Sequence, residues 1–497
     1  MEDPPRHMTP EEFERGAAQA AAFIAAYWSR LQNDPASLSV LSTSKPGEVL
    51  GALPDEPPVH GASNALLDEL FGKQELDALL PGLTHWQHPN FYAYFPANIS
   101  GPAVIGELLA AGLGVQGMLW ATSPACTELE MRVLDWLAGM LGLPETFTHA
   151  SGTGGGVIQG TASEAVLTAL VAARHRAVRS CRGAGEKPHL TLYASTQAHS
   201  SLIKAAMIAG LADSPDDRTH VRLIDVDSEL RMRPDALACA MQDDLAAGRT
   251  PFFVCATLGT TASTAIDPLR EIAAAVRAHA ADVPPWLHVD AAHAGAACVC
   301  PEFRPMLNGV EHADSFCVNP HKWLLTNFDC DAFFVRDKRA LIDSMSITPE
   351  YLRNTASDAG AVTDFRDWHV PLGRRFRALK LWMVIRWYGL EGLRHHIRSH
   401  AALAAMFESL VRSDDRFEIL APRTLNLVCF ALRANDAASK SLLDRINASG
   451  RAYLSHAVLP LESGPRFALR MAVGSPNTRE EHVRETWRLI QHLADGA

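Results

Sequence analysis

The sequence predicts an α/β fold with a mostly parallel central sheet, joined to a smaller α+β unit at the C-terminal end. Three observations predict it. Short apolar runs of β-type composition recur at 189–193, 221–226, 252–256, 286–289, 315–318 and 332–335. Helical stretches at 163–177, 234–247 and 268–280 fall between several of them. Strand and helix in alternation imply a parallel sheet covered on both faces. In the last hundred residues the order changes: helix-like segments at 400–412 and 480–493 flank β-like runs at 424–432 and 466–473.

The N-terminal region opens on Thr9-Pro10-Glu11-Glu12, a capping box with proline at the first helical position. Phe13, Ala17, Ala20, Ile24, Tyr27, Trp28 and Leu31 then recur at helical spacing and make one apolar face. Residues 33–60 are rich in Pro, Ser, Gly and Asp and read as an extended arm. The chain therefore divides into a helical packing segment (1–102), a large sheet domain (103–395) and a small α+β domain (396–497).

With 497 residues, 47% hydrophobic and 20% charged, the chain has the composition of a globular enzyme. A net charge of −11 argues against nucleic acid as a partner. No apolar run reaches 18 residues, so no membrane span or membrane partner is expected. Met1-Glu2-Asp3-Pro4-Pro5 lacks the layout of a signal peptide. The nine cysteines include no CxxC, and Cys239, Cys255, Cys317 and Cys429 sit in apolar runs. Buried free thiols and a cytoplasmic location follow. Cys298 and Cys300 alternate on one expected strand.

The chemistry concentrates after the strands. Asn319-Pro320-His321-Lys322-Trp323 sets a lysine behind a strand with an apolar flank, where an amine can lose its charge and act as a nucleophile. Asp290 ends the strand 286–289. A strand-end lysine and a strand-end acid are two parts of a pyridoxal phosphate site: one takes the aldehyde, the other pairs with the pyridinium nitrogen. Gly152 to Gly160 form a glycine-rich turn before Thr161, Ala162 and Ser163, which start a helix. Its free N–H groups suit a phosphate, although a plain loop with an ordinary cap fits the same residues. Alone, Asp290 reads as a turn cap, His199 as a core histidine and Thr260 as a loop threonine. Together, at successive strand ends, they fit one crevice. His396 and His400 have zinc-compatible spacing without a third ligand, so a solvated helix face is the simpler reading and no metal is expected. Gly373-Arg374-Arg375-Phe376-Arg377 reads as an anion site or as structural ion pairs.

The chain resembles the group II pyridoxal-phosphate decarboxylases of the aromatic-L-amino-acid decarboxylase type. The resemblance rests on His85-Trp86-Gln87-His88-Pro89, Tyr94-Phe95-Pro96, Ser123 to Glu130, Gly156 to Glu164, Gln197 to Ser201, Ala256 to Thr261, His288 to Ala292, Asn319 to Leu325 and Pro371 to Arg377, in that order. It implies the type I pyridoxal-phosphate fold (aspartate-aminotransferase-like) and a homodimer with its active site at the subunit interface. It implies Lys322 as covalent anchor, Asp290 at the ring nitrogen, and His199 and Ala292 on the two ring faces. Ala162, Ser163 and Asn319 would hold the phosphate, with Thr260 and His321 close to the cofactor. Tyr351 matches the tyrosine of a mobile catalytic loop and would protonate Cα, with His199 in relay.

Trp86, Tyr94, Phe95, Pro96, Ala97, Gln116, Met118 and Gly373 are the implied substrate-pocket residues. Ala97 replaces a frequent threonine and His293 a frequent tyrosine. Gln116 and Met118 replace more hydrophobic residues in the segment expected to cross the dimer. Gly373 leaves room, which goes with indole substrates in plant relatives. The implied reaction is decarboxylation of Trp, 5-hydroxy-Trp, Tyr, DOPA or Phe to the arylalkylamine and carbon dioxide. An aldehyde synthase, an acidic-amino-acid decarboxylase and a non-catalytic protein with this fold are the alternatives. Tyr351 and His199 favour simple decarboxylation over the first.

Overall fold

The computed structural model describes residues 7–53, 55–57, 79–180, 188–279, 283–347 and 362–495. Among these, seven strands form one sheet. They lie side by side in the order β1 (Gly155–Gln159), β7 (Asp331–Val335), β6 (Ser315–Val318), β5 (Trp286–Asp290), β4 (Thr250–Thr257), β2 (Leu190–Ser195), β3 (Val221–Ile224). β7 runs antiparallel to both neighbours; β6, β5, β4, β2 and β3 are parallel to one another. Every residue of β1, β2, β5, β6 and β7 is buried. That follows from the two layers: Ala165, Val166 and Ala169 of helix Ala162–Ser180 cover one face, and Leu134, Leu381 and Val384 belong to the core on the other.

The mostly parallel α/β architecture is as the sequence predicts, with one strand added. Residues 155–159, expected to be part of a glycine-rich turn, are the edge strand β1. The glycines serve close packing rather than looseness. A Cβ on Gly154 would lie 1.9 Å from the Thr146 carbonyl oxygen, and one on Gly156 would lie 2.9 Å from the Phe334 ring. Cys298 and Cys300 are buried, but in 3-10 turns around Ala294–Val299 rather than on a strand. Cys239 is exposed on helix Pro234–Ala246, on the side turned away from the sheet core; Cys255, Cys317 and Cys429 are buried free thiols.

The capping box on helix Pro10–Asn33 forms in full: the Glu12 N–H reaches Thr9 Oγ1 at 3.2 Å and the Thr9 N–H reaches Glu12 Oε2 at 2.8 Å. Within the described part of the arm, a 3-10 turn (Pro35–Ser37) and a helical turn (Glu48–Gly51) interrupt extended backbone. Val40 clips the arm down, donating to the Gly450 carbonyl and accepting from the His85 N–H, both at 2.9 Å.

A second, antiparallel sheet follows in the order β10 (Ser455–Leu461), β11 (Gly464–Ala472), β9 (Leu427–Leu432), β8 (Phe417–Ile419). Phe407, Phe417, Phe430 and Trp487 fill its core. β10, with Pro460 in it, is an edge strand, where a missing N–H is tolerated. Helix Arg377–Arg412 carries the chain across residues 395 and 396: Leu381 and Val384 pack in the large core, Ala404 and Phe407 in the small one. Its geometry breaks earlier, at Gly389 (φ 60, ψ 177).

The arginine run is structural. Arg374 Nη2 lies 2.6 Å from Glu130 Oε1 and 3.0 Å from the Ile158 carbonyl, while the same Glu130 oxygen accepts the Ile158 N–H at 2.8 Å. This pair, with both side chains at most 1% exposed, ties β1 to helix Pro124–Leu141. Arg375 pairs with Glu107, and Arg377 with Asp329 at 3.0 Å. Glu130→Ala strands a buried guanidinium and is expected to cost about 3–5 kcal/mol of stability. Arg375→Ala, at an exposed pair, is expected to cost less than about 1 kcal/mol. Urea unfolding of the two variants checks the contrast.

Candidate active site

Parallel strands place their carboxyl ends along one edge, and the expected residues gather there. β5 ends at Asp290, whose Oδ1 accepts the Ala292 N–H at 3.0 Å and the Cys317 thiol at 3.9 Å. Asp290 Oδ2 has no protein hydrogen-bond partner among the described residues. β6 ends at Val318. Asn319 stays extended (φ −98, ψ 97), as a residue before proline must. The turn Pro320–Trp323 then presents Lys322 to the cavity. Lys322 is half-buried, open on the cavity side, and forms no ion pair among the described residues. The packed protein lowers its pKa from 10.5, and the nearby Asp290 charge opposes that shift.

His199 follows β2. The Ser201 N–H points at its Nδ1 from 3.2 Å, so Nδ1 is an acceptor and the proton of the neutral ring sits on Nε2. The ring is open to the cavity but crowded on its protein side. That crowding holds its pKa below 6.5, with Asp290 pulling the other way. His321 is buried, accepts the Cys330 N–H on Nδ1 at 2.9 Å, and is pushed down to about 3.

These groups line one cavity of about 240 Å³ together with Thr161, Ala162, Ser163, Ala292 and Asn319. Ala162 and Ser163 open helix Ala162–Ser180, whose first N–H groups have no partner within the helix. Thr260 is one step removed: its buried hydroxyl lies 3.1 Å from Ser263 Oγ and accepts the Ala265 N–H at 3.1 Å, while Thr257, Gly259 and Thr261 reach the cavity. Tyr351 lies outside the described residues.

A larger cavity of about 1140 Å³ shares Phe95, His199, His321, Lys322 and Phe328 with the first. Trp86, Tyr94, Pro96 and Ala97 also line it. Gln116, Met118 and Gly373 do not line it. Gln116 Oε1 accepts the Arg374 N–H at 3.1 Å, a Cβ on Gly373 would stand 3.6 Å from that oxygen, and the Met118 carbonyl accepts the Arg366 N–H. They form a separate cluster in the single chain. His293 stacks on Phe95 at 3.8 Å and on Trp323 at 4.8 Å; burial pushes its pKa down to about 3. His396 and His400 are not a solvated face. Trp323 Nε1 donates to His400 Nδ1 at 2.9 Å, and His396 Nε2 lies 3.1 Å from Asn98 Oδ1, because this helix packs on the Trp323 side of the site.

Sequence reasoning missed Arg470. It donates to the carbonyls of Ala262 (3.0 Å) and Thr261 (2.6 Å), to Ser455 Oγ (2.6 Å) and, at 3.4 Å, to the Tyr94 carbonyl. Its guanidinium also lies over Phe95 at 5.5 Å. Three chain segments of the cavity wall thus meet on one side chain. Among them is Tyr94, held at φ 53, a conformation that bulky residues avoid. An arginine inside the otherwise apolar run 467–473 was the available signal.

A neutral-prone amine, a carboxylate with one open oxygen, a flat imidazole and a helix start with free N–H groups fit a pyridine aldehyde bearing a phosphate. Residues 50–433 match the model of the pyridoxal-dependent decarboxylase conserved domain. The chain is 46% identical to tyrosine decarboxylase 2 of Narcissus pseudonarcissus, covering 99% of this chain and 96% of that protein. It is 47% identical to phenylacetaldehyde synthase of Arabidopsis thaliana, covering 95% and 94%. A crystal structure of Oryza sativa TDC with PLP and tryptamine superposes with a TM-score of 0.91 at 43% identity, covering 99% of each chain.

Arg470→Lys keeps the charge but cannot span the four acceptors. The expected outcome is a loss of about 2–3 kcal/mol in thermal unfolding, since buried carbonyls lose a charged donor.

Proposed function

This chain belongs to the pyridoxal-dependent decarboxylase family, and from that membership we propose that it decarboxylates aromatic L-amino acids to arylalkylamines, with tryptophan or a broad aromatic range as substrate. The observation that carries the reading is a pair of adjoining cavities with Lys322, His199 and Phe95 in the lining of both. Asp290 lines the smaller one, and Trp86 and Tyr94 line the larger. A flat aromatic side chain fits that larger cavity.

Pyridoxal phosphate, when bound, supplies the electron sink for the bond between Cα and the carboxylate. The chain's residues do the rest. Lys322 would hold the aldehyde carbon, because burial favours its unprotonated, nucleophilic form. Asp290 would keep a proton on the ring nitrogen through its open oxygen. His199 and Ala292 would pack against the two faces of the ring. The Ala162 and Ser163 N–H groups and Asn319 would hold the phosphate, with His321 behind Lys322, and Thr260 braces the loop that carries Thr261. Trp86, Tyr94, Phe95, Pro96 and Ala97 orient the substrate ring. Tyr351 delivers the proton to Cα, with the Nε2–H of His199 in relay; this role rests on the resemblance.

A homodimer is part of the same reading. Ile105, Leu108, Leu109 and Leu113 of helix Gly101–Leu113 and Phe13 of the first helix are exposed in the single chain. A second copy would cover them and set Gln116, Met118 and Gly373 against the partner's cavity. Buried free thiols support a cytoplasmic location. No helix among the described residues is long and apolar enough to cross a membrane.

A second reading, aromatic aldehyde synthase, is favoured by the likeness to the Arabidopsis enzyme. Assaying Trp, 5-hydroxy-Trp, Tyr, DOPA, Phe and Glu for carbon dioxide, amine, aldehyde and peroxide separates the two. Equal carbon dioxide and amine without peroxide, and no turnover of Glu, are expected. Tyr351→Phe is expected to divert product from amine to aldehyde; unchanged amine yield removes Tyr351 from the mechanism. Lys322→Ala is expected to abolish turnover and the visible absorbance of bound cofactor.

A further inference from the structure

We propose that Asp331 is a positioning residue for the cofactor phosphate: it enters the cofactor-bound enzyme as the neutral acid, and its ionisation loosens the hold on the phosphate.

Asp331 is the first residue of β7, and β7 runs against its neighbours. Its side chain therefore arrives at the same edge where the parallel strands end. It is 0% exposed, and among the described residues both carboxyl oxygens lack a hydrogen-bond partner. Two neighbours are incomplete in the same way. Gln159, its direct partner across β1, has an unpartnered buried Nε2. Asn319, which continues β6 on the other side, has an unpartnered buried Oδ1. The row thus holds one orphan donor and one orphan acceptor, with a carboxyl between them. Ionised, Asp331 only accepts and sets charge against the Asn319 oxygen. Protonated, it offers a donor for the Asn319 oxygen and keeps a carbonyl acceptor for the Gln159 amide.

The row touches the phosphate cradle at both ends. Gln159 precedes Gly160 and Thr161, which lead into Ala162 and Ser163; Asn319 lines the cofactor cavity. An ionised Asp331 and a phosphate would therefore compete for the same helix N-terminus. The other charged groups around it do not relieve this. Glu164 faces it from helix Ala162–Ser180 and is engaged by the Gly160 N–H at 2.8 Å; Asp290 faces it from β5. Asp329, beside it, is paired with Arg377. The thiols of Cys317 and Cys330 are buried and pushed up, hence neutral. Lys322 is the cation on this side, and Asp290 draws on it as well. Burial first, then Asp290 and Glu164, keep the Asp331 carboxyl well above the ordinary range.

The sign follows from linkage. Where Asp331 is ionised in the empty site and neutral in the filled one, binding takes up a proton. Affinity then falls about tenfold for each pH unit of rise. Below that range it does not depend on this group. Asp331→Asn is neutral at every pH and keeps both a donor and an acceptor.

The test is equilibrium dialysis of purified enzyme against pyridoxal phosphate, and against pyridoxal, from pH 6 to 9, read by cofactor absorbance. The ratio of wild-type to Asp331→Asn affinity for pyridoxal phosphate is expected to fall with pH. The same ratio for pyridoxal should stay flat. Asp331→Ala, a fallback should the amide variant fold poorly, should lose the extra slope as well and hold the cofactor more weakly throughout. Parallel profiles for wild type and variants overturn the proposal. So does an equal fall for pyridoxal, which would route the effect through Lys322 instead. The inference rests on the cofactor reading: uptake of no pyridoxal phosphate at any pH overturns both, whereas parallel profiles overturn only the role of Asp331.

Discussion

The enclosure of Lys322 beside Asp290, without a direct ion pair, is the interaction on which the rest of the site depends. Burial favours the free amine, and the Asp290 charge favours the ammonium. An ion pair would settle that contest for the charged form. The structure avoids one by spending Asp290 Oδ1 on the Ala292 N–H and placing Lys322 on a turn of its own. Pro320 sets the entry of that turn, and the Lys322 N–H closes it on the Asn319 carbonyl at 2.9 Å. Trp323 and Leu324, both buried, then anchor its far side.

The same enclosure explains the unusual number of neutral imidazoles behind the site. From Phe95 a column of rings runs through His293, Trp323 and His400 to His396. Each histidine has a polar partner: Asn426 for His293, the Trp323 indole for His400, Asn98 for His396. Burial pushes His293 to about 3 and His400 to about 4. Uncharged rings stack with little penalty, and they add no positive charge that would raise the cost of protonating Lys322. A protonated His293 would do the opposite, since its ring stacks on Phe95 at 3.8 Å and the amine lies 5.8 Å from the centre of the same Phe95 ring.

Much of this was legible in the sequence, for a physical reason. Apolar runs flanked by helices specify a parallel sheet, and a parallel sheet puts its strand ends together. Lys322, Asp290, His199 and Thr260 could therefore be grouped from their places after strands. β1 escaped because its packing is made by glycines, which carry no periodic signal; only the neighbouring Phe334 and Leu134 show why glycine is needed there. Thr260 stands just after β4, but its hydroxyl turns into its own loop, a choice made by Ser263 and Ala265. Arg470 and Asp331 went unread for a shared reason. A charge within an apolar strand looks like an outward-facing residue until the sheet order shows that nothing there faces out.

The division of labour at the site follows from which elements carry each part. The groups that would handle the cofactor sit on strand ends and a helix start of the large sheet, where backbone pairing fixes them. The substrate wall is assembled from three separate segments: the stretch around Tyr94, the loop at Thr261 and Ala262, and β10. These are not hydrogen-bonded into one element; they meet on Arg470. Substitutions in the wall, such as the alanine at position 97, can therefore reshape the side-chain pocket without moving Lys322 or Asp290. Substrate choice is free to vary in such an architecture while the decarboxylation chemistry stays put, because the clamp that holds the wall is separate from the sheet that holds the amine.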